Sequence, residues 1–151
     1  MTLKERINDE MKAALLSANR FFAETLRNLK AAILNEEVAA GKRDEGLSDE
    51  EVEKVIAREV KKRTESAKIY RDNDRPELAE PEEREMEVLR QFLPEQLGED
   101  ELRAMIEAKI TELGVSGPQA MGQVIGAVKQ QAGNAADGAL IARLVKETLT
   151  K

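Results

Sequence analysis

One stretch of the chain carries five basic residues that could bind phosphate groups. Lys54, Arg58, Lys61 and Lys68 recur at helical spacing, and Lys62 lies beside them. Side chains three or four residues apart share one face of an α-helix, so these cations could be reached together. Contacts from lysine and arginine to phosphates supply most of the sequence-independent affinity for nucleic acids. The pattern is also typical of an ordinary solvated helix face, and both interpretations stay open.

A second stretch, Gly133 to Gly138, could bind an anion through backbone amides at the start of a helix. Asp137 stands where an N-cap residue is expected, and its carboxylate would occupy the same amides. The stretch therefore favours an ordinary helix-helix turn over an anion site. Lys129 and Lys146, on either side of this turn, are further candidates for contact with phosphate groups.

Glutamates crowd the segment that follows residue 79 and could hold Mg²⁺, which prefers carboxylate oxygens. Negative side chains also stabilise the first turns of a helix through its macrodipole, and we favour that interpretation. We therefore expect no metal here. The five glutamates are Glu80, Glu82, Glu83, Glu85 and Glu87.

Histidine and cysteine are absent from the 151 residues. Imidazole general bases, thiolate nucleophiles, disulfides and nearly every zinc or iron site are thereby excluded. Other enzyme mechanisms need a concave site, and we expect no loop long enough to build one. The sequence predicts a protein that is not an enzyme and has no cofactor. The net charge of −6 also requires that any RNA contact come from a local basic patch.

The chain must build its core from aliphatic residues and methionine, because it has three Phe, one Tyr and no Trp. The apolar residues recur at helical spacing, which predicts an all-α protein. We place a boundary at residue 94, between an N-terminal helical bundle (1–94) and a C-terminal three-helix domain (95–151). The predicted helices of the bundle cover 3–16, about 19–40, 48–73 and about 76–93.

Two helix starts are marked by capping boxes, in which a hydroxyl and a glutamate three residues later bond each other's backbone amides. They are Thr2 to Glu5 and Ser48 to Glu51. In the third helix, Glu59 and Arg63 point toward the apolar side and are predicted to pair.

Glycines mark several helix ends, since the residue after a helix often has a left-handed backbone. Gly41 is predicted to end the second helix, Gly114 the first helix of the C-terminal domain, and Gly133 the next one. Asp137 is predicted to cap the last helix.

No apolar run approaches the roughly 20 residues that a membrane-spanning helix needs. The first residues lack the basic-then-apolar order of a secretion signal. We therefore expect a cytoplasmic protein without a membrane partner.

Four stretches spread over most of the chain carry a resemblance to known proteins. They are Thr25–Ala32, Arg58–Tyr70, Phe92–Leu97 and Met121–Gly138. In order and spacing they resemble the GatB/YqeY family, and specifically its free-standing YqeY-like members. The resemblance implies a helical bundle joined to a three-helix tail.

The resemblance also carries functional expectations. In the tRNA-dependent amidotransferase, the related module is the tail of the B subunit, an appendage that contacts RNA. The kinase, transamidation and amidase groups belong to other parts of that enzyme. A non-catalytic partner of tRNA, or of a translation- or amidotransferase-associated protein, is therefore expected. Two alternatives stay open: a protein-protein adaptor without RNA binding, and an accessory factor of carbon-nitrogen ligase activity with glutamine as amido donor.

The chain departs from the family pattern before its last helix. Relatives are expected to carry a Lys-Gly-Lys-Ala-Asp-Gly type of sequence, where this chain has Ala132 to Gly138 without a cation. Gly133 and Asp137 remain, so the turn is kept while its attraction for phosphate is weakened.

Overall fold

The computed structural model describes residues 1–151 and contains seven α-helices and no strand, which confirms the all-α prediction. Its contacts define two compact units, Met1–Leu93 and Pro94–Lys151. The first unit holds α1 (Leu3–Leu16), α2 (Arg20–Ala39), α3 (Asp49–Asp72) and α4 (Pro76–Arg90). The second holds α5 (Glu99–Leu113), α6 (Met121–Ala132) and α7 (Gly138–Leu149), with 3-10 turns at Pro118–Ala120 and Gly133–Ala135.

Each unit has a hydrophobic core of its own, and burial of apolar surface supplies the main stabilisation of both. In the first unit, all four helices contribute aliphatic side chains, and Phe92 closes the core after α4. In the second unit, Leu102, Ile106, Val124 and Leu144 are completely buried between α5, α6 and α7.

Both predicted capping boxes are present. The Thr2 hydroxyl accepts from the Glu5 amide at 3.1 Å, and the Glu5 carboxylate accepts from the Thr2 amide at 2.8 Å. At the start of α3, the corresponding Ser48 and Glu51 bonds are 3.2 and 2.8 Å. Both helix starts therefore satisfy amides that would otherwise lack a partner.

The fourth helix ends earlier than predicted. It stops at Arg90 rather than near Leu93. The Phe92 and Leu93 amides instead form 3.1 Å bonds to carbonyls three residues earlier, which is the geometry of a tight turn. Pro94 explains this difference, because its ring disfavours helical geometry at the residue before it.

The two glycines predicted to end helices of the second unit are confirmed, but the predicted side-chain cap of α7 is not. Gly114 follows α5 with φ of 65° and Gly133 follows α6 with φ of 56°. Asp137 occupies the N-cap position of α7 with an extended backbone, as predicted. Its carboxylate forms no capping bond to the amides of α7, so the predicted side-chain cap is wrong.

None of the helices is both long enough and apolar enough to cross a bilayer.

Ala18 provides a test of the helix ends. It follows α1 with φ of 59°, a left-handed conformation that disfavours any residue with a Cβ. Ala18→Gly is therefore expected to raise the free energy of unfolding by about 1 kcal/mol in urea titrations. Ala13→Gly, inside α1 and exposed, should lower it by about the same amount. If both variants are destabilised, the strain at Ala18 is refuted.

Candidate phosphate-binding surface

The five basic residues first considered lie on α3, and we call them the basic stripe (Lys54, Arg58, Lys61, Lys62 and Lys68). All five are exposed, whereas Val52, Val55, Ile56 and Val60 of the same helix are buried. The packed face of α3 thus fixes the direction of the opposite, basic face. From the first to the last cation the stripe extends about 21 Å along the helix axis.

Carboxylates accompany the basic stripe. Arg58 pairs with Glu36 of α2 at 3.0 Å, and Lys68 pairs with Asp72 at 3.0 Å. Lys62 pairs with Glu59 at 3.2 Å. A phosphate that binds here must compete with these carboxylates, although the more exposed pairs of Arg58 and Lys68 cost little to break.

Arg63, next to the stripe, points inward and has two partners. Its side chain is 12% exposed and contacts Glu59 at 3.2 Å, which confirms the predicted pair. It also contacts Glu85 of α4 at 2.9 Å. This second contact joins α3 to α4 and was not predicted, because nothing in the sequence shows which turn of α4 lies opposite Arg63.

Of the acidic run, three glutamates form ion pairs. Glu83 contacts Arg71 at 2.6 Å, Glu85 contacts Arg63, and Glu87 contacts Arg90 at 3.6 Å. The first two contacts join α3 to α4, and the third lies within α4. The chain contains no group of three or more acidic residues placed to hold a metal ion.

The structure brings Lys129 to the turn that lacks the expected lysines. A Cβ placed on Gly138 would lie 3.1 Å from Cε and 3.3 Å from Nζ of Lys129. The ammonium group of Lys129, on α6, therefore lies beside the first turn of α7. Asp137 directly precedes this turn. Lys146 lies eight residues further along α7, about 12 Å away along its axis, so the two lysines do not form one patch.

A network of ion pairs joins α5 to α7 and was not predicted. Arg143 contacts Glu99 at 2.8 Å and Glu147 at 3.1 Å, and Arg103 contacts Glu147 at 3.0 Å. The hydrogen bond from Arg103 is the main cause that lowers the pKa of Glu147. The two arginines and two glutamates of this network balance in charge. In the sequence, Lys146 directly precedes one of these glutamates, Glu147.

Comparison with known proteins places these features in a family. The family model described as Yqey-like protein matches residues 4–149, nearly the whole chain. The chain belongs to the YqeY-like family. The resemblance noted on the four stretches is thereby confirmed at the level of the family.

Several fungal proteins are similar to this YqeY-like chain. Three of them are named "Altered inheritance of mitochondria protein 41, mitochondrial". The protein from Clavispora lusitaniae is 30% identical over 56% of this chain and 47% of its own length. That from Pyrenophora tritici-repentis is 25% identical over 95% of this chain and 79% of its own. The protein from Lachancea thermotolerans is 26% identical over 74% of this chain and 60% of its own length. The chain thus spans about half of the first relative and about four fifths of the second.

Proposed function

We propose that this YqeY-like protein is a non-catalytic binding module of the translation machinery that contacts tRNA through the basic stripe. The observation that carries the proposal is the exposure of five cations on one helix whose opposite face is fixed in the core. A phosphate backbone that follows α3 could contact several of them in succession. Lys129, beside the first turn of α7, offers a separate phosphate contact in the second unit.

The cytoplasmic location expected from the sequence stays part of this proposal. Three relatives are mitochondrial by name, so the compartment needs a test of its own, such as microscopy of the tagged protein in its source cell.

The stripe suggests a direct binding experiment. Binding of the full chain to unmodified tRNA should weaken steeply as salt rises, because each phosphate contact releases condensed counterions. Arg58→Ala and Lys61→Ala should each weaken binding and flatten the dependence of log K on log salt by about one unit or less. Filter binding or fluorescence anisotropy at several salt concentrations measures both quantities.

A matched control comes from the second unit. Lys109 of α5 pairs with Glu112 at 3.1 Å and lies outside the stripe. Lys109→Ala removes one positive charge and should leave the salt slope unchanged. An equal loss in all three variants would show that only net charge matters, and unmeasurable tRNA binding would refute the proposal.

The paired charges favour a second candidate, a protein-protein adaptor. Glu36, Glu59 and Asp72 alternate with the cations of the stripe, which gives the mixed-charge surface typical of protein contacts rather than a uniformly positive one. Purification with nuclease treatment separates the two candidates. An adaptor would still co-purify with a protein partner, whereas a tRNA-binding module would lose its tRNA.

A further inference from the structure

The end of α1 exposes two adjacent leucines. Leu15 is 62% exposed and Leu16 is 91% exposed, so two large apolar side chains are exposed next to each other. Together with Ala18 in the following turn, we call them the leucine corner. Adjacent helical residues point about 100° apart, so the two leucines project in different directions from the end of α1. A soft medium entered by the end of the helix would cover both.

The leucine corner lies in a positively charged segment of an acidic protein. Between Met11 and Ala23 the chain has two cations, Lys12 and Arg20, and no carboxylate, while the whole chain has a net charge of −6. Both cations are exposed. The glutamates on either side of this segment pair with arginines of their own helices, at 2.8 and 3.5 Å. The corner is therefore complementary to an anionic surface.

The backbone amides of the corner and the side-chain oxygens of Ser17 and Asn19 have partners within the chain. The Ser17 hydroxyl donates to the Ala14 carbonyl at 3.2 Å, and the Asn19 side chain accepts from the Phe22 amide at 3.3 Å. The amides of residues 17, 18 and 19 all donate to carbonyls of the last turns of α1, at 3.0, 3.3 and 2.9 Å. Amides satisfied in this way can leave water at little cost, which favours contact with the lipid boundary.

We propose that the leucine corner docks on an anionic lipid surface. Leu15 and Leu16 enter the boundary between headgroups and acyl chains, and the Ala18 methyl adds to the apolar tip. Lys12, one turn behind Leu16, and Arg20, at the start of α2, contact lipid phosphates from the headgroup level. This contact needs no membrane-spanning helix. It goes beyond the proposed function and differs from the sequence-based expectation that the protein has no membrane partner.

The test is flotation of the full chain with vesicles of phosphatidylcholine and phosphatidylserine in equal parts, and with vesicles of phosphatidylcholine alone. The chain should float with the anionic vesicles and much less with the neutral ones. The double variant Leu15→Gln, Leu16→Gln should lower the partition coefficient by about tenfold or more. Lys12→Gln should lower it by about fivefold on anionic vesicles only.

Matched controls separate the corner from general apolarity and charge. Leu34 and Val38 of α2 are 46% and 57% exposed and lie outside the corner, so their double glutamine variant should float like the parent. Lys146→Gln removes the same charge as Lys12→Gln from an exposed position outside the corner. Unlike Lys12→Gln, it should have little effect on flotation. Circular dichroism of each variant verifies the fold. The proposal is overturned if the parent chain does not float, or if the corner and control variants lose vesicle binding equally. It is also overturned if the leucine corner binds only a protein or RNA.

Discussion

Replacement of Glu37 by alanine is expected to lower the free energy of unfolding by about 2–3 kcal/mol. Glu37 lies on α2 with a side chain only 4% exposed, and its Oε2 accepts from Lys4 Nζ at 2.6 Å and from the Leu47 amide at 3.0 Å. One carboxylate thus holds α1 and the loop before α3 against α2. Without it, the Leu47 amide loses its partner. Urea denaturation followed by circular dichroism measures the change.

Glu36 supplies the matched control for this prediction. It is the preceding residue of α2 and also forms an ion pair, with Arg58, but its side chain is 39% exposed and that of Arg58 61%. Glu36→Ala should change stability by about 0.5 kcal/mol or less. Equal effects of the two substitutions would show that Glu37 acts as an ordinary surface charge.

Acid should remove the contribution of Glu37. The hydrogen bond from Lys4 is the main cause that lowers the pKa of Glu37 below its ordinary value, and the Leu47 amide adds to it against the effect of burial. A carboxyl group with a lowered pKa stabilises the fold above its unfolded pKa of about 4.3, and this stabilisation disappears as pH falls through the folded pKa. The stability gap between the parent protein and Glu37→Gln should therefore be constant near neutral pH and shrink below about pH 4. A gap that widens in acid would contradict the assignment.

The local signals in the sequence predicted the helix starts well. A capping box needs only residues within one turn of each other, so Ser48 and Glu51 suffice to predict it. The end of α4 was predicted less well, because the apolar residues Phe92 and Leu93 continue the helical spacing into the turn before Pro94. A buried apolar residue just after a helix can fall at the same spacing in the sequence as one in its last turn. The spacing alone therefore does not show where the helix ends.

Contacts between helices could not be predicted, since they depend on which turns face each other. The charge of Arg58 was evident, but its partner Glu36 lies 22 residues earlier in the chain. The position of Lys129 beside Gly138 likewise requires the α6–α7 packing. Glu37 did leave a signal that was missed, because it falls four residues after Ile33 on the apolar stripe of α2. A charge on such a stripe indicates a buried ionic contact.

The basic stripe and the leucine corner lie on different helices, so substitutions that test one leave the other intact. If tRNA binding fails while vesicle binding holds, the module is a lipid-surface adaptor in which the stripe is only a solvated helix face. If both hold, the first unit could bring RNA to a membrane surface. The two experiments are therefore independent, and their results can be combined without ambiguity.

Arg63→Ala is expected to destabilise the protein by about 2–4 kcal/mol, because it leaves two carboxylates near each other with little water. The Glu59 side chain is 15% exposed and the Glu85 side chain 26%, and Arg63 is the cation that bridges α3 to α4 between them. Its Nη1 also donates to the Glu59 carbonyl at 3.1 Å. Thermal and urea unfolding should both show the loss, which should be partly relieved by Glu85→Gln in the same chain.

Lys62 is the natural control, since it is the neighbouring residue and pairs with the same glutamate. Its side chain is 72% exposed, so water replaces the lost contact and Lys62→Ala should cost about 0.5 kcal/mol or less. The contrast depends on burial rather than on charge, because both substitutions remove one cation from Glu59. If the two variants lose equal stability, or if Glu85→Gln deepens the defect of Arg63→Ala, the bridge between α3 and α4 does not contribute as the geometry indicates.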